Sequence, residues 1–91
     1  MAKPDLNPQI AEQPPWSDSL TEYDEQHLVT YLRLLDAEQE GASRVEMARL
    51  ILGIEPNEEP ERALKAVETH LERAQWVAEK GFLSLLNPTT P

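Results

Sequence analysis

The 91 residues predict a small all-α domain, three helices in a helix-turn-helix-like arrangement. Apolar residues recur at three- and four-residue spacing in three separate stretches. Each stretch is preceded by residues able to cap a helix, and each closes on one of the chain's three glycines, Gly41, Gly53 and Gly81. Period-two alternation is absent. Only "FLSLL", residues 82–86, is a candidate strand, and a single strand has no partner to pair with.

Residues 1–18 are expected to be a disordered arm, because Pro4, Pro8, Pro14 and Pro15 remove backbone donors and fix φ across it. Trp16 stands out there as a side chain that folds back onto the domain or meets a partner. Ser19 or Thr21 starts the first helix, each with an acidic residue three positions on, Glu22 or Asp24, to complete a capping box. Leu28, Tyr31, Leu32 and Leu35 form its apolar side, and Gly41 stops it. "SRVE" announces a short second helix, Ser43 capping and Glu46 reaching back. Val45, Ala48 and Leu52, with Met47 or Ile51, make its buried side, and Gly53 its left-handed stop. Asn57 or Glu58 caps the third helix, and Pro60 is tolerated in its first turn, where amides lack intrahelical acceptors. Ala63, Val67, Leu71, Ala74 and Ala78 are its stripe, flanked by Ala66, His70 and Val77 on one side and Leu64 on the other. The domain is expected to span 19–86, with 87–91 a disordered tail. Phe82, Leu83, Leu85 and Leu86 are too apolar to be left in water and should pack back on the helices.

Seventeen acidic against eight basic residues give a formal net charge of -9, which repels phosphate backbones. Residues 21–40 concentrate the excess, six carboxylates against the single guanidinium of Arg33. Without cysteine the chain has no disulfide or thiolate metal site, consistent with a reducing compartment. The opening "MAKPDLNPQI" lacks the apolar core of a secretory signal, and no apolar run approaches the roughly 20 residues of a membrane span, so a cytoplasmic location is expected. His27 and His70 stand on different helices without metal-ligand spacing. No phosphate-cradling glycine loop or nucleophile elbow is present, and the glycines all sit at helix ends. Neither an enzyme, a cofactor nor a metal is expected.

Two helices and a turn packed on a longer third is the plan of proteins that read DNA with one helix. Such a helix needs arginine, lysine, asparagine or glutamine aimed at bases and phosphates. Between Glu61 and Lys80, four acids offset four bases. At 100° per residue, Trp76 falls about 140° round the helix from Leu71, on the side of Thr69, Arg73 and Lys80. It is either covered by the arm or the C-terminal segment, or exposed as a protein contact. The candidate partner-binding residues are therefore Thr69, Glu72, Arg73, Trp76 and Lys80, with Arg33 on the first helix; the bland alternative is a solvated face.

The runs "LTEYDEQHLVTYLRLLDAEQEGA", "EMARLILGIEP" and "ERALKAVETHLERAQWVAEKGF" resemble the family of the domain of unknown function numbered 2285, common in alpha-proteobacteria and on their conjugative elements. They cover Leu20 to about Leu86. The resemblance implies a helix-turn-helix or winged-helix-derived fold, some members binding DNA as transcriptional activators. Within the family the chain is most similar to small quorum-sensing antiactivators. That similarity implies binding to a LuxR-type, TraR-like activator and to an FseA-like excision activator that itself contains this domain type, so that transfer of a mobile element is repressed. The chain would then be a monomer when free, with no membrane or nucleic-acid partner. Family members often finish "GYRxLL" where this chain reads "GFLSLL", without the Arg and Tyr that could touch phosphate. A DNA-binding transcriptional regulator is the alternative.

Overall fold

The computed structural model describes residues 10–81 and has the expected all-α, helix-turn-helix-like architecture. Helices α1 (Glu22–Gln26) and α2 (Leu28–Gln39) form a bent first arm of the bundle. Helix α3 (Arg44–Glu46) runs on through π-helical turns, Met47–Leu52. Helix α4 (Pro60–Trp76) likewise continues as the π-helical Val77–Gly81. No strand occurs among the described residues. The candidate strand 82–86 and the tail 87–91 lie outside them, as do residues 1–9.

Local chemistry explains the boundaries. Thr21 and Asp24 make a reciprocal capping box on α1, and Ser43 and Glu46 make another on α3. The first helix, expected to be continuous, is divided at His27. The Tyr23 carbonyl accepts both the His27 amide, at 3.0 Å, and the His27 Nδ1–H, at 2.7 Å, and the His27 backbone leaves the helical region at φ -108° and ψ 18°. Gly41 and Gly53 end α2 and the α3 extension at φ 84° and 71°, a left-handed conformation that side chains rarely adopt. Helix α4 begins later than anticipated, capped at Glu59 where Asn57 or Glu58 was expected, with Pro60 in the first turn.

The core lies where α2, the α3 extension and α4 meet. Leu34, Met47, Ala48, Leu52, Ile54, Ala63, Ala66, Val67 and Leu71 form one buried cluster, and Tyr31, Ala74 and Val77 a second beside it. Alanines on the inner side of α4 bring its backbone close to its neighbours. The expected stripe of α4 is buried except at Leu64 and Ala78. On α2 the buried line is rotated from the expected one: Thr30, Tyr31 and Leu34 face inward, whereas Leu32 is 67 % exposed. The buried line Asp24, His27, Tyr31 and Leu34 keeps helical spacing across the bend, so the difference arises because polar Asp24, His27 and Thr30 occupy the inner face where leucines were expected. Val45, expected inside, is also exposed; Met47 takes its place in the core.

Residues 10–20 have no regular secondary structure, as Pro14 and Pro15 dictate. From residue 10 onward, however, the expectation of a disordered arm gives way to a docked segment: Ile10 packs against the main cluster and Pro14 is buried. No helix among the described residues is long and apolar enough to cross a membrane.

Two substitutions calibrate this packing. Leu34→Ala, in the fully buried centre, should lower unfolding free energy by about 2–5 kcal/mol in chemical denaturation. Leu50→Ala, on the exposed side of the α3 extension, should stay within about 0.5 kcal/mol of wild type.

Candidate interaction face on α4

The outer side of α4, where the partner-binding residues were expected, is built around Arg73. Its guanidinium is wholly buried, as is the Asp24 carboxylate it meets. Arg73 donates from Nε to Oδ1 at 3.0 Å and from Nη2 to Oδ2 at 2.6 Å, a bidentate pair. Its Nη1 donates to the Ser17 carbonyl at 2.7 Å, and Nη2 donates also to the Ser19 carbonyl at 2.9 Å. Asp24 accepts in addition from the Tyr31 hydroxyl at 2.8 Å and from the Thr21 amide at 2.9 Å. Burial by itself would raise the pKa of Asp24; the hydrogen bonds from Arg73, the Thr21 amide and Tyr31 outweigh it and hold the carboxyl below its ordinary range. Among the described residues no buried side-chain polar atom lacks a hydrogen-bond partner.

Two indoles bracket the same guanidinium. The Arg73 Cζ lies 4.0 Å from the ring centre of Trp76 and 4.9 Å from that of Trp16, and the rings meet edge to face at 6.1 Å. Trp76 is therefore half-buried, covered by the arm, which is one of the alternatives the sequence left open. A second anchor lies toward the N-terminus of α4. The Ala66 carbonyl can only accept, so His70 carries its proton on Nδ1 and donates it there at 2.7 Å. His70 Nε2 then accepts from the Tyr23 hydroxyl at 2.5 Å, and that hydroxyl accepts from the Ala11 amide at 3.1 Å. His27 stacks on the other side of Tyr23, with centroids 3.7 Å apart. Burial first, and then the charge of Asp24, hold the Tyr23 phenol above its usual pKa against the opposing Ala11 amide. Burial, reinforced by His27 and opposed by the Ala66 carbonyl, holds His70 below its own.

Arg73 is thus corrected from a surface contact to an internal tether. Its position on the outer side of the helix was read properly, but α1 and the arm cover that side. Thr69 is half-buried and donates to the Lys65 carbonyl at 2.8 Å and the Glu12 carbonyl at 3.4 Å. Glu72 is exposed and shares a shallow cleft with Thr69, Gln13, Pro14 and Trp16. Lys80 is exposed in the π-helical continuation, and Arg33 is exposed on α2. The structure gathers Thr69, Glu72, Arg73 and Trp76 against the arm, whereas Arg33 stands on α2. Asp24, Tyr23 and His70 were missed as parts of this assembly, since Asp24 read only as a capping residue and His70 only as a flank of the core.

Three further guanidiniums are engaged by carboxylates. Arg44 bridges Glu38 and Glu68 at 3.4 and 3.1 Å. Arg49 grips Glu55 with two bonds, and Arg62 pairs with Glu59 at 3.0 Å. Among the described residues no group of three or more histidines and carboxylates is arranged to hold a metal ion.

Comparison with known proteins gives one family. The family model RovC_DNA-bd, described as "T6SS, Transcription factor, DNA binding domain", matches residues 3–87. No curated protein matches the chain.

Two measurements test the tether. Arg73→Ala leaves the Asp24 carboxylate buried without its counter-ion and should cost about 3–5 kcal/mol of stability. Arg73→Lys should recover only part of this, because an ammonium cannot reproduce the bidentate fork. In pH titrations of unfolding, the His70 effect comes first. Below the ordinary histidine value, about 6.5, the unfolded chain binds a proton that the folded His70 resists, so stability falls, at most by about 1.4 kcal/mol per pH unit. The Asp24 contribution is fully present above about pH 3.9 and is lost only as pH falls through its lowered folded value. His70→Gln should flatten the first phase and leave the second.

Proposed function

This chain belongs to the family of transcription-factor DNA-binding domains matched over residues 3–87, and we propose that it regulates transcription through a protein contact, as an antiactivator. The observation that carries this reading is the fate of its arginines. Arg44, Arg49 and Arg62 pair with carboxylates, and Arg73 is buried under the arm, while the chain as a whole carries a net charge of -9. A DNA-reading scaffold in this condition keeps its fold with little affinity for phosphate. Its acidic surface suits the basic surface of an activator. The partners in this reading are those the sequence resemblance implies: a LuxR-type, TraR-like activator and an FseA-like excision activator, with repression of mobile-element transfer as the outcome. The chain acts in the cytoplasm, as a monomer until it binds.

Direct DNA binding is the second reading, and the family match favours it. The exposed Lys65 and Lys80 would then contact the phosphates.

One experiment separates the two. The tagged full-length chain is used to capture partners from cells carrying its native genetic element, with and without nuclease, across a salt series. The antiactivator reading expects a transcriptional activator retained equally after nuclease, with capture weakening as salt screens the acidic surface. Loss of the captured proteins on nuclease treatment, with DNA recovered from the untreated sample, would replace it with the DNA-binding reading. In that case log K for a duplex should fall linearly with log salt.

A further inference from the structure

The α2–α4 pair leaves one apolar groove open. Leu28, Leu32 and Leu35 form one wall, and Ala74, Val77 and Ala78 the other. The ring of Tyr31 closes the floor, and the space between holds roughly 380 Å³. No charged or polar side chain lines it apart from the Tyr31 hydroxyl, which points away to Asp24. Leu32, 67 % exposed at its lip, lies outside the buried line of α2.

We propose that this groove is the seat of the chain's own C-terminal segment, Phe82–Leu86. The last described residue, Gly81, follows three residues after Ala78, so the chain leaves α4 at the groove itself. The next five residues, "FLSLL", bring four large apolar side chains. Their reach is sufficient: five extended residues span about 17 Å, whereas Leu28 to Leu35 along α2 is about 10 Å. Glycine at 81 allows the chain to reverse direction there. A second copy is the poorer occupant, since it would bring together two surfaces from chains each carrying a charge of -9. Seating the segment covers the exposed leucine on α2, and it extends the smaller cluster of Tyr31, Ala74 and Val77 into a core of full depth.

A double-mutant cycle in the full-length chain tests this. Leu32→Asp and Leu86→Asp are made singly and together, and denaturation midpoints are compared. The proposal expects each single change to lower the midpoint and the double change to lower it little further, because both break one contact. Additive effects, or no effect of Leu32→Asp, would overturn it. Should either variant fail to fold, NMR of the wild-type chain decides: cross-relaxation between the methyls of Leu32 and those of Leu86 is expected, and its absence refutes the seat. Sedimentation at several concentrations covers the remaining occupant, since a dimer that Leu32→Asp dissociates would assign the groove to a second copy.

Discussion

The buried pair of Asp24 and Arg73 organises this molecule. One carboxylate joins four otherwise separate parts: it closes the capping box of α1, accepts from Tyr31 on α2, receives both arms of a guanidinium from α4, and through that guanidinium reaches the carbonyls of Ser17 and Ser19. Moving two charges out of water is costly, and their mutual attraction offsets that only where geometry is good and the remaining donors and acceptors are satisfied. Here they are. The pair therefore matters less as a source of net stability than as a device that admits one arrangement of α1, α4 and the arm.

A consequence follows for the outer side of α4. On a helix-turn-helix scaffold that side is the one available to a ligand, and here the chain occupies it. Trp16 and Trp76 enclose Arg73, Thr69 touches the Glu12 carbonyl, and the Ala11 amide hangs from Tyr23 and His70. What stays accessible is the rim: Glu72, Lys80 and the exposed ring of Trp16. A partner reaching α4 would meet the arm as well.

Charge tells a compatible story. Arg44, Arg49 and Arg62 are held in short-range pairs, with Arg44 placed between Glu38 of α2 and Glu68 of α4. Exposed pairs of this kind contribute little to stability. Their larger effect is to withdraw positive charge from a surface that already carries an excess of carboxylates. The family match concerns the scaffold, that of a transcription-factor DNA-binding domain, and the electrostatics concern the charge on its surface.

The sequence by itself determined the all-α class, the two capping boxes, the stops at Gly41 and Gly53 and most of the inner stripe of α4, because these depend on residues within a turn or two of one another. It also determined the charge balance. The tertiary structure alone decided the rest. A buried Asp24 has no local signature, since its partner lies 49 residues away and a lone carboxylate near a helix start reads as a cap. At the break the His27 ring and amide share the Tyr23 carbonyl, and the buried line stays in helical register through it; that line runs through polar Asp24, His27 and Thr30, which apolar periodicity does not place inside. The docking of the arm depends on hydrogen bonds between distant backbone carbonyls and one guanidinium. Such contacts exist only once the helices have been packed.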